Sequence, residues 1–384
     1  MSHGSPTRPS VRALLLHRRI GDDAVHDQKV AGYFTHADAL REQLGLRIDA
    51  ADATTLDDAR RAAEDAAART DRDHSTYGLV LLQAHWLAPL DELIGLIGDL
   101  RRLHPDAKLA LIDWADQTSS IHFPAAAHLD AFLKCQTLRP VARYQEDFAG
   151  GFVFTDFLVR ELGYDLDGWS HGSPVPPDHA PKLVPAPGLG ASPGYRRLQR
   201  LAALSPLPWS ARPYLLNRRF GRTAPQAEAD RPWSARYRDQ VQDRLETWAA
   251  RHRCTAAHRV HRARYLLELT LAKMTVSPFG WGEVCFRDYE AVACGSLLIK
   301  PSMDHLRTSP DIYRPDETYV PVRWDLADLD EKIAHYQSHP DEARRIVRNA
   351  GETLRDYHDR GGFVEDQRRV LRALGLIPAS AADR

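Results

Sequence analysis

The stretch from Ser277 to Pro301, SPFGWGEVCFRDYEAVACGSLLIKP, limits the folds open to this chain more than any other. It reads as a strand end, a Gly-rich loop, a helix, a glycine stop and a short apolar strand. Gly280 and Gly282 let the backbone come close to a ligand. The helix after them aims its first N–H groups back at the loop, an arrangement suited to phosphate. Helical spacing puts Glu283, Arg287 and Glu290 on one polar face. The same spacing puts Cys285, Tyr289 and Val292 on a core face. Gly295 ends the helix, and residues 297–299 return the chain to a sheet.

Such a strand–helix–strand unit needs parallel neighbours, and both halves of the chain supply them. Buried strands are expected at 11–16, 77–83 and 108–112, with weaker ones at 46–48 and 129–133. Helical patterns over 34–44, 56–68 and 90–103 lie among them. This alternation predicts a Rossmann-like domain over 11–167, with helices on both faces of a parallel sheet. No GxGxxG follows the first strand, so a dinucleotide site is unsupported there. Seven prolines between Pro174 and Pro193 then mark 168–210 as a connection. A second α/β pattern occupies 211–360. It opens with a strand at 213–216 that runs into the basic loop Asn217-Arg218-Arg219-Phe220-Gly221. Ligands of open α/β sheets bind at such strand ends. Helices are expected at 195–204, 236–252, 265–271, 326–337 and 340–358, and strands at 274–276 and 319–322, the latter an edge strand because it holds Pro321. A last helix (363–374) and tail fill 361–384, and residues 1–10 form a disordered tail.

Composition narrows the function. A chain of 384 residues accommodates two domains, and a net charge of −1 gives no footprint for nucleic acid. No apolar run reaches the length of a membrane span, and the polar N-terminus is unlike a signal peptide. Cys135, Cys254, Cys285 and Cys294 form no CxxC pair and read as free thiols of a reducing cytosol. The expected location is cytoplasmic, with peripheral membrane association left open. The histidines show no ligand spacing, so no metal site is expected.

Two Rossmann-like halves, a proline-rich hinge and the SPFGWGEVCFRDYEAVACGSLLIKP segment together resemble the GT-B glycosyltransferases. The segment is similar to the donor-binding region of group-1-like and of exostosin- or CgeB-like bacterial glycosyltransferases. Residues 312–315, 318–321 and 324–326 (IYRP, TYVP, WDL) extend the resemblance, which covers about 210–375. Over the first half it is architectural. It implies an α/β GT-B fold, two Rossmann-like domains facing across a cleft. The implied activity is glycosyl transfer from a nucleotide-diphosphate sugar, UDP or GDP, to a small-molecule, lipid-linked or saccharide acceptor. The implied setting is bacterial surface-polysaccharide, glycoconjugate or natural-product biosynthesis. Neither a metal nor a cofactor besides the sugar nucleotide is implied.

On the same resemblance, Glu290 grips the ribose, while Gly280, Trp281, Gly282 and Glu283 lie against diphosphate and sugar. Arg218 and Arg219 offset the departing charge, with Arg287 and Lys273 as further cations. Fixed guanidinium groups suit this task because they chelate phosphate oxygens as charge develops. Retaining members often carry two glutamates separated by seven residues. Here Glu283 and Glu290 are separated by six, and Gly282 holds the usual first position. An Arg287–Glu290 pair of exostosin type is the other reading and would allow inversion. Inversion needs a general base on the acceptor side, for which Asp116 ranks before Asp113 and His85. Trp281 stacks on a base or sugar, or packs beneath the loop. A sugar- or protein-binding module without catalysis and a sugar-nucleotide epimerase are the alternative functions.

Overall fold

The computed structural model describes residues 10–18, 21, 24–73, 76–113, 115–204, 207–220 and 232–379. Most of the expected disordered tail (1–9), Gly221 of the basic loop and residues 380–384 lie outside them. The first half runs β1 (Val11–His17), α1 (Ala24–Thr35), α2 (Ala37–Leu44), β2 (Leu46–Asp52), α3 (Leu56–Asp73) and β3 (Leu79–Leu82). It continues with α4 (Leu90–Leu103), β4 (Lys108–Ile112), β5 (Ala131–Lys134), β6 (Gln136–Leu138), α5 (Val153–Arg160) and β7 (Leu183–Pro185). The second half holds α6 (Pro193–Ala202), β8 (Tyr214–Asn217), α7 (Pro232–Ala249), α8 (Arg262–Leu271) and β9 (Ala272–Val276). After these come α9 (Phe286–Ala293), β10 (Leu297–Pro301), β11 (Leu306–Thr308), β12 (Val320–Val322), α10 (Leu329–Ser338), α11 (Pro340–Asp359) and α12 (Gly362–Ala373).

Strands β2-β1-β3-β4-β5-β7 form one sheet and β12-β10-β9-β8 another. Neighbours are parallel throughout both sheets. The apolar runs LVLL and KLALI are buried along almost their whole length, as strands covered on both faces by helices must be. This is the expected GT-B architecture. The two halves are stitched by an antiparallel pair, β6 with β11, in which Leu138 faces Leu306.

Two expectations change. The proline-rich segment 168–210 is more than a connection. Its β7 pairs with β5, Phe132 opposite Leu183, and completes the first sheet. An edge position tolerates Pro185, because its missing N–H faces away from the ladder. The last helix, expected only as part of a C-terminal helix and tail, packs on the first domain. Phe363, Val364, Val370 and Leu371 of α12 bury themselves with Val11, Leu15 and Leu40 of the first.

Candidate functional site

The Gly-rich loop is held by one carboxylate. Asp288, in the first turn of α9, is fully buried. It accepts from Ser277 Oγ at 2.5 Å, Tyr313 OH at 2.7 Å and the Cys285 N–H at 3.1 Å. Buried Lys300, on β10, stands 3.1 Å away, close enough for an ion pair though off the hydrogen-bond angle. Burial alone would raise the Asp288 pKa. Lys300, then Ser277, Tyr313 and the Cys285 N–H outweigh it and hold the group below the ordinary carboxylate range. Loop start, helix start and β10 are thereby tied together. Neither Asp288 nor Lys300 was singled out from the sequence, although Cys285-x-x-Asp288 has capping-box spacing.

Glu283 was expected on the helix face of Arg287 and Glu290. The helix starts at Phe286, so Glu283 lies in the loop, turned toward the first domain. Its Oε1 accepts from Thr118 Oγ1 at 3.1 Å, 165 residues away in sequence. His305 Nε2 stands 3.9 Å from the same oxygen. Glu283 Oε2 is buried without a hydrogen-bond partner, as are the amide atoms of Gln117 beside Thr118. Asp116 sits at this junction too, against Gly282, and its side chain is 3.5 Å from Lys29 Nζ. The structure therefore brings Asp116, Gly282 and Glu283 together across the domain boundary. Thr118 and His305 join them without having been anticipated.

Asp113 is set apart from this group. It is buried on Lys134 Nζ at 2.6 Å and accepts from Ser120 Oγ at 2.9 Å, which commits it to the core. His85 Nδ1 accepts from the Leu87 N–H. Trp281 packs among aromatic rings. Its ring centroid lies 5.4 Å from Trp86, 5.3 Å from Trp169 and 5.4 Å from His171, in a cluster contributed by both domains.

The cations fall differently from expectation. Lys273 is the second residue of β9 and so lies at the end of the sheet opposite the loop, which begins at Ser277. Arg218 turns back to α7, 2.7 Å from Glu246, and donates to the Thr255 carbonyl. Arg219 forms a fork on buried Glu268, with Nη2 at 2.9 Å from Oε1. Both are committed to structural carboxylates. Arg287 lies over the Phe220 ring at 5.4 Å, at the carboxyl end of β8. Its Nε and Nη1 are buried without hydrogen-bond partners. Arg238 of α7, not foreseen, lies on the loop itself: a Cβ placed on Gly280 would come 3.1 Å from its guanidinium carbon.

Glu290 is buried and faces α8 rather than the first domain, with its Oε1 2.9 Å from Arg262 Nη1. It also accepts from Tyr265. Burial, then the Glu290 charge, push that phenol well above its ordinary range, so it stays a donor. Arg262 lines a cavity of about 510 Å³ between α6, α8 and α9, together with Tyr195 and Phe286. No group of three or more His, Cys, Asp or Glu side chains suited to a metal occurs among the described residues.

Residues 218–362 match the family model described as Glycosyl transferase-like. This span contains the Gly-rich loop, α9, Arg238, Arg287 and Glu290. Solved structures with a similar chain path include sucrose-phosphate synthase from Thermosynechococcus elongatus, 12% identical at TM-score 0.49, covering 95% of this chain and 99% of that one. A trehalose-6-phosphate protein from E. coli bound with UDP-2-fluoro glucose is 10% identical at TM-score 0.48, covering 96% and 99%. The catalytic domain of starch synthase IV from Arabidopsis thaliana, bound to ADP and acarbose, is 10% identical at TM-score 0.48, covering 95% and 99%. No curated protein matches the chain. Among the described residues no helix is long and apolar enough to cross a membrane.

Proposed function

We propose that this protein is a glycosyltransferase that transfers a sugar from a nucleotide-diphosphate donor to a hydroxyl acceptor. The observation that carries the reading is Arg287. Asp288 and Glu290 act on this guanidinium through charge but leave two of its buried nitrogens without hydrogen-bond partners, donors that a phosphate oxygen would answer. It stands in the first turn of α9, where the helix N-terminus also favours negative charge. Arg238 flanks the loop from the other side. The two arginines and the loop amides take the role first assigned to Arg218, Arg219 and Lys273: they hold the diphosphate and stabilise its charge as the glycosidic bond breaks. Glu290, oriented by Arg262 and Tyr265, takes the ribose hydroxyls, and the adjoining cavity takes the base. Glu283 faces the sugar, and Asp116 stands on the acceptor side as general base. The reaction so drawn needs no metal, because the arginines answer the leaving charge.

Isothermal titration with UDP, GDP and ADP, with and without attached sugar, tests this. One of them is expected to bind. Arg287→Met should weaken that binding by about tenfold to a hundredfold, the loss of one charged hydrogen-bonding group, without lowering thermal stability. Glu290→Ala should weaken nucleoside diphosphates but not inorganic pyrophosphate. Absence of binding across the panel refutes the reading.

A further inference from the structure

A second cavity, of about 330 Å³, opens at the carboxyl ends of the first sheet. Its walls come from the β2–α3 turn (Thr54, Thr55) with Asp57 of α3, and from the β3–α4 turn (Gln83, His85) with Glu92 of α4. Strand β1 lies between β2 and β3, so the cavity sits over the strand where the order turns back on itself. Open α/β sheets bind ligands at that place. One wall residue is anomalous. Gln83 is 3% exposed, and neither its amide oxygen nor its amide nitrogen has a hydrogen-bond partner. A buried primary amide with donor and acceptor both unanswered is destabilising by itself, and a ligand that presents both functions would satisfy it.

The walls also say which ligand. No Lys or Arg lines the cavity among the described residues, whereas Asp57 and Glu92 do. Two helices, α3 and α4, begin beside it, and their N-termini would attract an anion. That attraction is already answered by acids in the first turns: Asp57 and Asp58 on α3, Asp91 and Glu92 on α4. Phosphate is therefore disfavoured. Carboxylates, an amide and hydroxyls beside the apolar edges of Leu56 and Leu87 suit an uncharged, hydroxyl-rich ring. The volume lies near the lower end of small-molecule sites, roughly 300–1,000 Å³, and has room for one sugar unit. The β3–α4 turn continues through Trp86 to Trp281 of the donor loop, with the two ring centroids 5.4 Å apart.

We infer that this cavity is the acceptor subsite and that it takes an uncharged sugar unit, not a sugar phosphate. This rests on the glycosyltransferase reading above. Saturation-transfer NMR on the full chain tests it, using neutral methyl glycosides of glucose, galactose, mannose, rhamnose and N-acetylglucosamine, with glucose 6-phosphate as the charged probe. At least one neutral glycoside should bind at millimolar concentration, and glucose 6-phosphate should bind no better than glucose. Gln83→Leu should weaken the neutral glycoside at least tenfold and leave nucleotide affinity unchanged. Thr54→Val, at the rim, should weaken it a few-fold and guards against misfolding of the first variant. Preference for the sugar phosphate, no glycoside binding while a nucleotide still binds, or an indifferent Gln83→Leu variant overturns the subsite and spares the transferase reading. If neither nucleotide nor glycoside binds, both readings fall.

Discussion

Gly282→Ala isolates the contact between the Gly-rich loop and Asp116 of the first domain. Gly282 adopts no left-handed backbone, so alanine brings no local strain. What alanine meets is the first domain. Its Cβ would stand 2.6 Å from the carbonyl carbon of Asp116 and 2.9 Å from that residue's Cβ, where ordinary contacts begin at 3.4 Å. These are backbone-anchored atoms, and Asp116 is further held by Gln136, which donates to its carbonyl. The domains must then part by roughly 1 Å, a misplacement of the size that costs about 10²-fold in rate, or about 2.7 kcal/mol in the barrier. Gly280→Ala is the control. Its Cβ meets the guanidinium end of Arg238, a side chain that can swing aside. Turnover of a sugar nucleotide with acceptor should fall about a hundredfold in Gly282→Ala and a few-fold in Gly280→Ala. Titration should show nucleotide affinity nearly unchanged in Gly282→Ala, because the donor groups all lie in the second domain. Equal activity of Gly282→Ala and wild type, or equal loss in the two variants, would refute a role for this contact in turnover.

Glu283→Gln keeps an acceptor for Thr118 but removes the charge facing the sugar, whereas Thr118→Val removes only the interdomain hydrogen bond. If Glu283 acts on the substrate, kcat falls in the first and is nearly kept in the second; equal losses would make it a latch. Asp288→Asn leaves Lys300 buried without its counter-charge and should lower stability by about 3–5 kcal/mol, read from urea midpoints at pH 7. The wild-type pair's contribution persists above the ordinary Asp value of 3.8 and fades as pH falls through the depressed native value. Burial, then the charges of His36 and Arg196, lower His358 from 6.5 to about 4. Above pH 6.5 the ring is neutral in folded and unfolded chains alike; between 6.5 and 4 the unfolded chain binds the proton first, so stability falls by up to roughly 3 kcal/mol. His358→Gln should flatten that part of the urea-midpoint profile, and an unchanged slope between pH 7 and pH 4.5 would count against it.

The sequence and the structure agree most closely where one short stretch decides its own fate. α4 and β4 were legible to the residue, Leu90–Leu103 and Lys108–Ile112, because an apolar stripe and a continuous apolar run need no distant partner to be recognised. α1 was missed: AVHDQKVAGYFT has no clean stripe. Three-residue β6 and β11 exist only because the domains meet, so nothing local announces them. The same division separates the site's elements from its side chains. That a basic loop follows β8 was readable. That Arg218 is spent on Glu246, 28 residues on, and Arg219 on Glu268, 49 residues on, was not. Each choice is a rotamer decided by a carboxylate on another helix. Lys273 is the instructive error, since strand direction alone would have placed it at the wrong end of β9.

These reassignments make the cleft more demanding electrostatically. With Arg218 and Arg219 committed inside the fold, the guanidinium groups that border the Gly-rich loop and the helix start are those of Arg287 and Arg238. They stand on α9 and α7, two helices of the same domain. In the proposed reaction the donor-binding groups all come from the second domain. What the first domain brings is Asp116, Thr118 and the cavity around Gln83, all at the carboxyl ends of its own strands. On the proposed assignment the chemistry is partitioned: affinity for the leaving group belongs to one side of the boundary, and access of the attacking hydroxyl to the other. On this assignment a donor engages the second domain alone, whereas the acceptor site also depends on the Asp116–Gly282 contact. Substitutions in the first domain should therefore change turnover with little effect on nucleotide affinity. Those at Arg287, Arg238 and Glu290 should change the affinity itself.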